Sequence, residues 1–312
     1  MTAYAIAATG TGGHIFPALS VARALHAQGH EIVWFGSPSG MEVNYMQGFE
    51  YVPLEVGPIN GQTGQMRKLM DSFKAVPKVQ ERLMRFSVSK AIVFGGYVSV
   101  PVGLAAKSTK IPLYVQEQNS KPGRANKMLM PLSEKIFAAH HGVFDSDKIV
   151  VTGNPLRFSR PWLKPNNVLV IGGSLGSGFI NEIMHEVAGN NQCNFRIIVG
   201  SRNFNPIKAK FAGMANVEIL EFIDDMYAQY EWADAVISRA GAMTISEVSA
   251  MQLPALLIPL ANSADGHQVK NAYSAGANFE VMLESACSAV GIRRWLENGP
   301  KSALDRILQY LV

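Results

Sequence analysis

The chain has only two cysteines in 312 residues, and Cys193 and Cys287 stand isolated with no CxxC spacing. That excludes a disulfide framework and gives no zinc signature. No run of about 18 uncharged apolar residues occurs, so no segment reads as spanning a bilayer. The opening residues, MTAYAIAATGTGGH, lack the basic stretch of a signal peptide and pass directly into a strand and a glycine turn. A cytosolic chain is the expectation. Charge is scarce as well, at 17% against 48% hydrophobic residues, which excludes disorder and implies sizeable cores. An Asp-x-Asp triplet occurs only at Asp145-Ser146-Asp147, in a polar loop before a strand, where a solvated turn explains it. The net charge of +4 favours anionic partners. Nucleic acid is not expected, because no RNP, zinc-finger or helix-turn-helix signature accompanies that charge. Nucleotide-sugars and anionic membrane surfaces fit it equally well.

What is present is a repeated pattern of apolar strand, glycine turn and helix. The length suits two domains of roughly 150 residues. Ala3–Ala8 reads as a strand and is followed by Gly10-Thr11-Gly12-Gly13-His14. The next helix carries Pro17 in its first turn and ends at Gly29, before a strand at Ile32–Phe35. A dinucleotide fold would show G-x-G-x-x-G and an acidic residue ending the second strand. Here the second strand ends Trp34-Phe35-Gly36-Ser37, so a nicotinamide reading is weak. Further strands read at Ala91–Phe94, Ile111–Val115, Lys135–Ala138 and Ile149–Thr152. Gly95-Gly96-Tyr97 follows the first of these and Gln116-Glu117-Gln118-Asn119 the second. Between the early strands, Met66 to Phe86 is a basic amphipathic segment with Pro77 expected to break or kink it. It sets Arg67, Lys68, Lys74, Lys78, Arg82 and Arg85 against Asp71 and Glu81. Such a face suits anionic lipid headgroups, although a core-facing helix with a solvated side explains it equally.

Residues 158–167 hold two prolines and read as a domain linker. The pattern then restarts, with strands at Val168–Ile171, Phe195–Val199, Val217–Phe222, Ala235–Ile237 and Ala255–Ile258. Gly172-Gly173-Ser174-Leu175-Gly176-Ser177 is the first turn of this half. Ser238-Arg239-Ala240-Gly241 is a second, opening a helix at Ala242 that Pro254 stops. Free N–H groups and the positive end of the dipole at such a turn stabilise an anion. Glu247 lies on the second helical turn, where its charge would repel phosphate. It reads either as an acceptor for vicinal ribose hydroxyls or as a solvated helix residue. His14 begins its helix, so the dipole keeps the ring neutral and able to accept a proton. Glu117 projects from a strand's carboxyl end, and either group qualifies as a general base.

Six elements lie in order along nearly the whole chain: GTGGH, GGYVS, EQN, GNP-x-R, GGS and SRAGA-x-T-x-SE. Together they resemble the MurG family of glycosyltransferases, which add N-acetylglucosamine to the lipid-linked peptidoglycan precursor. The resemblance implies an α/β, GT-B fold of two Rossmann-like domains facing across a cleft. An acceptor and membrane-facing domain over 1–157 and a donor domain over 158–296 are expected, with a helix near 297–312 packing back on the first. It implies an inverting transfer from UDP-N-acetylglucosamine to the C4 hydroxyl of undecaprenyl-pyrophosphoryl-MurNAc-pentapeptide (lipid I). No cofactor and no metal are implied. The chain would work peripherally at the cytoplasmic face of the inner membrane, on an anionic surface. Implied donor contacts are Thr11, Gly12, Gly13, Asn119, Arg157, Ser174, Ile223, Ala242, Met243, Thr244, Glu247, His267 and Gln268. Gly95, Gly96 and Tyr97 are implied for the acceptor, and His14 and Glu117 for catalysis. Leu175 stands where the family commonly has glutamine, so no amide contact carries over there. A UDP-N-acetylglucosamine epimerase and a non-catalytic nucleotide-binding module are the rival readings.

Overall fold

The computed structural model describes residues 2–57, 65–143, 146–158, 161–173, 176–263, 266–276 and 278–312. The chain divides into two compact units, Met1–Ser159 with Ser302–Val312, and Arg160–Lys301. The first unit contains β1 (Ala3–Ala7), α1 (Gly12–Ala27), β2 (Glu31–Gly36), β3 (Glu50–Pro53), α2 (Gln65–Arg85), β4 (Val88–Val93) and α3 (Ser99–Ser108). It continues with β5 (Leu113–Glu117), α4 (Arg124–Leu129), β6 (Lys135–Ala138) and β7 (Ile149–Val151). The second unit contains β8 (Asn167–Ile171), α5 (Gly178–Gly189), β9 (Asn194–Ile198), α6 (Phe204–Lys210), β10 (Val217–Leu220), α7 (Met226–Trp232) and β11 (Ala235–Ser238). It ends with α8 (Ala242–Ala250), β12 (Ala255–Leu257), α9 (His267–Ser274), β13 (Phe279–Val281) and α10 (Ala289–Asn298). The chain then returns to the first unit as α11 (Ala303–Leu311).

Each unit is built on one parallel sheet. The strand orders are β3-β2-β1-β4-β5-β6-β7 and β10-β9-β8-β11-β12-β13. The two orders share one logic. The chain winds outward from the first strand of each sheet, then resumes on that strand's other side. The order therefore reverses between β1 and β4, and again between β8 and β11, and loops at those carboxyl ends form ligand crevices. Central strands carry side chains buried on both faces, which is why β1 (AYAIA) and β11 (AVIS) read as unbroken apolar runs.

Several expectations shift in detail. β5 runs to Glu117, two residues past the expected end, so that carboxylate belongs to the strand itself. α1 starts at Gly12, which puts Pro17 in its second turn. α2 passes unbroken through Pro77. The ring sits on the exposed side, while Val79 and Leu83 on the other side are buried in the core. The edge strands β3 and β13 had no expectation. Both are short and pair on one side only, so they need no continuous apolar run.

Candidate active site

In the first unit the turns after β1 and β4 touch. A Cβ on Gly95 (φ +103°) would lie 2.8 Å from His14 Cδ2, and one on Gly96 (φ +79°) 2.6 Å from the Thr9 carbonyl oxygen. Only glycine allows both the left-handed backbone and the approach. His14 is thus seated in the first turn of α1 with its ring against the Gly95 backbone, half-buried. Its Nδ1 is buried with no hydrogen-bond partner. Burial lowers its pKa below the ordinary histidine value, against weaker opposite pulls from the Thr9 backbone and the Glu117 charge. The ring is neutral at pH 7, as expected from its helix position, though burial is the main cause.

Glu117 has a different situation. It is 1% exposed, and four N–H groups donate to its carboxylate. Asn119 gives its backbone N–H at 2.9 Å and its Nδ2 at 3.1 Å to Oε1. Gly123 N at 2.9 Å and Asn126 Nδ2 at 2.8 Å serve Oε2. A carboxylate so occupied anchors the 117–126 loop and has few acceptor positions left. Asn119, expected at the donor, spends part of its amide on that anchor, although the residue itself is exposed.

Arg157 is exposed and lies over the Phe16 ring, 4.0 Å from its centroid. Gly12 makes room for that ring, since a Cβ there would meet Phe16 at 2.7 Å. Ser20 Oγ donates to the Leu156 carbonyl at 2.9 Å, clipping the GNP-x-R segment to α1. Thr11, Gly12, Gly13, His14 and Arg157 therefore gather at one end of α1, where no side chain caps the helix. Tyr97 sits half-buried on the β4 turn, packed against the core.

In the second unit Arg239 organises the turns. It is 9% exposed, and its Nε and one terminal nitrogen donate to Ser177 Oγ at 3.1 and 2.7 Å. Its other terminal nitrogen donates to the Ile258 carbonyl at 3.1 Å, while Glu284 pairs at 2.5 Å with the terminal nitrogen that faces Ser177. One guanidinium thus joins the start of α5, which follows β8, to the ends of β11 and β12. This role was not visible in the sequence, where Arg239 is one residue of a small turn. Next to it Gly241 is the N-cap of α8 and brings no side chain to it, so the first N–H groups of the helix are open to an anion. Ala242 and Met243 are exposed there, Met243 by 70%, and Thr244 is half-buried.

Glu247 is half-buried one turn further on, and its Oε2 accepts the Tyr230 hydroxyl at 2.8 Å. Tyr230 lies in α7 without any motif to mark it. Ile223 packs against the same apolar cluster as Tyr230 and Val248. Gln268 uses its Oε1 to accept the Leu260 N–H at 3.0 Å, which fixes the loop after β12. His267 is exposed at the start of α9. Asn271, on the same helix, donates to the Ala240 carbonyl at 3.3 Å, tying α9 to the Arg239 turn. Ser174, Leu175 and Asp145 lie outside the described residues.

Two Rossmann-like parallel sheets, each with touching or uncapped glycine turns at its switch point, place the chain in the GT-B class of folds. Residues 4–138 match the glycosyltransferase family 28 N-terminal domain, and residues 167–293 match its C-terminal domain. A UDP-N-acetylglucosamine–N-acetylmuramyl-(pentapeptide) pyrophosphoryl-undecaprenol N-acetylglucosamine transferase of Shewanella sediminis is 37% identical over 289 residues, 86% of this chain and 79% of that one. Its counterpart in Shewanella loihica is 38% identical with the same coverage. The solved structure of Acinetobacter baumannii MurG is 28% identical, covering 99% of this chain and 95% of that chain with a TM-score of 0.45. The chain belongs to glycosyltransferase family 28 and, within it, to the family of these N-acetylglucosamine transferases.

Proposed function

We propose that the chain moves N-acetylglucosamine from UDP-N-acetylglucosamine to the C4 hydroxyl of undecaprenyl-pyrophosphoryl-MurNAc-pentapeptide, with inversion. The activity named for the relatives at 37–38% identity supports this substrate pair over the epimerase and over a non-catalytic module. The acceptor hydroxyl attacks the anomeric carbon as the bond from that carbon to the UDP oxygen breaks. The hydroxyl proton goes to a base, and UDP departs with the electron pair. One observation carries the chemistry: the His14 ring is held neutral by burial, whereas four N–H groups occupy the Glu117 carboxylate. His14 is the base and Glu117 the anchor of its surroundings. In the second unit the leaving charge is met by the uncapped start of α8. Glu247 accepts from the ribose hydroxyls, and backbone groups at Ile223 meet the uracil edge. Thr11 to Gly13, Asn119, Ser174, Ala242 to Thr244, His267 and Gln268 complete the donor contacts. Gly95 to Tyr97 receive the acceptor.

The lipid substrate requires a membrane, and among the described residues no helix is long and apolar enough to cross one. Peripheral attachment through α2, at the cytoplasmic face of the inner membrane, fits its surface. Met70, Phe73 and Met84 are exposed on one flank of its outer face, with Lys74, Lys78 and Arg85 on the other. The deciding experiment measures UDP release from UDP-N-acetylglucosamine with and without a short-chain lipid I analogue. Release only with the analogue is expected. A new sugar epimer formed by enzyme and donor alone would overturn the reading.

A further inference from the structure

Glu247 is a half-buried helix position turned into a fixed one, and its partner is what fixes it. Tyr230 is 3% exposed, with its ring in an apolar cluster that includes Val248, Ala240 and Ile198. A tyrosine hydroxyl in such surroundings needs a partner, and Glu247 Oε2 at 2.8 Å supplies it. From the structure we infer that Tyr230 is the positioning residue for ribose recognition, holding Glu247 so that its free lone pairs meet the 2′- and 3′-hydroxyls of the nucleotide.

This rests on the ribose role proposed for Glu247. An ionised carboxylate offers about four acceptor positions. The Tyr230 bond uses one, and a vicinal diol needs two. A glutamate on a helix surface otherwise samples several rotamers and must give up that freedom on binding. Tyr230 removes that freedom beforehand, which strengthens binding without any contact to the ligand. Burial raises the tyrosine pKa, and the bond to Glu247 raises it further. The hydroxyl therefore remains a donor throughout the neutral range. Ile223 packs on the same cluster, so the base edge and the ribose acceptor are registered to one another through one apolar body.

The test is calorimetric binding of UDP and of 2′-deoxy-UDP to the full chain and to Tyr230→Phe, Glu247→Gln and the double variant. The unmodified chain is expected to prefer UDP by about tenfold. Tyr230→Phe should cut that ratio by about threefold or more, chiefly through weaker UDP binding. Adding Tyr230→Phe to Glu247→Gln should change the ratio no further. An unaltered ratio in Tyr230→Phe, with the ratio lost in Glu247→Gln, makes Tyr230 a packing residue and overturns the inference. An unaltered ratio in Glu247→Gln overturns the ribose reading itself. Should Tyr230→Phe fail to fold, Glu247→Asp draws the carboxylate back from an intact tyrosine. The ratio must then fall as well, and its persistence would equally refute the inference.

Discussion

His14 rests its ring on the Gly95 backbone, and burial keeps that ring neutral. Two measurable consequences follow from the sign of the shift. The fold favours the neutral form, so the contribution of His14 to stability is complete above the ordinary value of about 6.5. It falls away as pH drops below that value and through the lower folded one. The same titration gives kcat an acidic limb below about 6.5. In His14→Ala, kcat should fall by about 10²-fold with UDP affinity retained, and the limb should vanish from the pH profile. Glu117→Gln gives the contrasting result. An amide there turns an N–H toward donors that previously met a carboxylate oxygen. Thermal unfolding should show a loss of about 1–3 kcal/mol while the acidic limb persists. If the limb survives in His14→Ala and disappears in Glu117→Gln, the two roles must be exchanged.

α2 shows how far an element can be understood from its periodicity. The expected apolar positions divide between two faces. Val79 and Leu83 are buried with Val76 and Phe86 partly covered, whereas Met70 and Phe73 stand exposed beside the lysines. The core-facing reading thus holds for the inner face, and the outer face is the one proposed to meet anionic headgroups. Met66 to Leu69 have no described side chains, so the charges of Arg67 and Lys68 are left unplaced. Arg82 does not belong to the outward basic set, because it is half-buried with its Nε out of solvent. Replacing Lys74, Lys78 and Arg85 by glutamine should weaken partitioning to anionic vesicles, by about 1 kcal/mol per charge removed. UDP binding should be untouched, and unchanged sedimentation with vesicles would dismiss this face from membrane binding. Across the chain, central strands and glycine turns were legible because burial on two faces leaves an apolar run and tight backbone demands glycine. Bonding partners were not legible. The partners of Glu117 Oε2 include Asn126, nine residues away, and Glu247 meets Tyr230 across seventeen. A side chain's chemistry there is decided by packing between elements, which no local spacing records. Glu42 is a further case. It is fully buried, and its Oε1 accepts the Thr9 hydroxyl at 2.6 Å and the Ser37 N–H at 2.7 Å, joining the ends of β1 and β2.

At the scale of the whole chain, the first unit is discontinuous. α11 buries Ile307 and Leu311 in the cluster that holds Tyr4, Trp34 and Phe137. The Tyr4 hydroxyl donates to the Leu311 carbonyl at 2.7 Å, and the Phe137 and Tyr310 rings meet at 5.7 Å. α10 remains with the second unit, where the Trp162 indole N–H donates to the Leu296 carbonyl at 3.1 Å. Ile307→Ala should therefore cost about 2–5 kcal/mol in the first unit alone. Scanning calorimetry should show the first unit's transition lowered and that of Arg160–Lys301 in place. A shift of both transitions, or only of the latter, would contradict this division.

The same discontinuity sets an order on biosynthesis. A chain leaving the ribosome presents the whole of the first sheet, then the whole second unit, before residues 302–312 emerge. Until then Tyr4 lacks its carbonyl partner, and the slot for Ile307 and Leu311 is an open apolar surface on a nascent protein. The first unit is thus begun before the second and completed only after it. During that interval it is the part on which a chaperone would have to act.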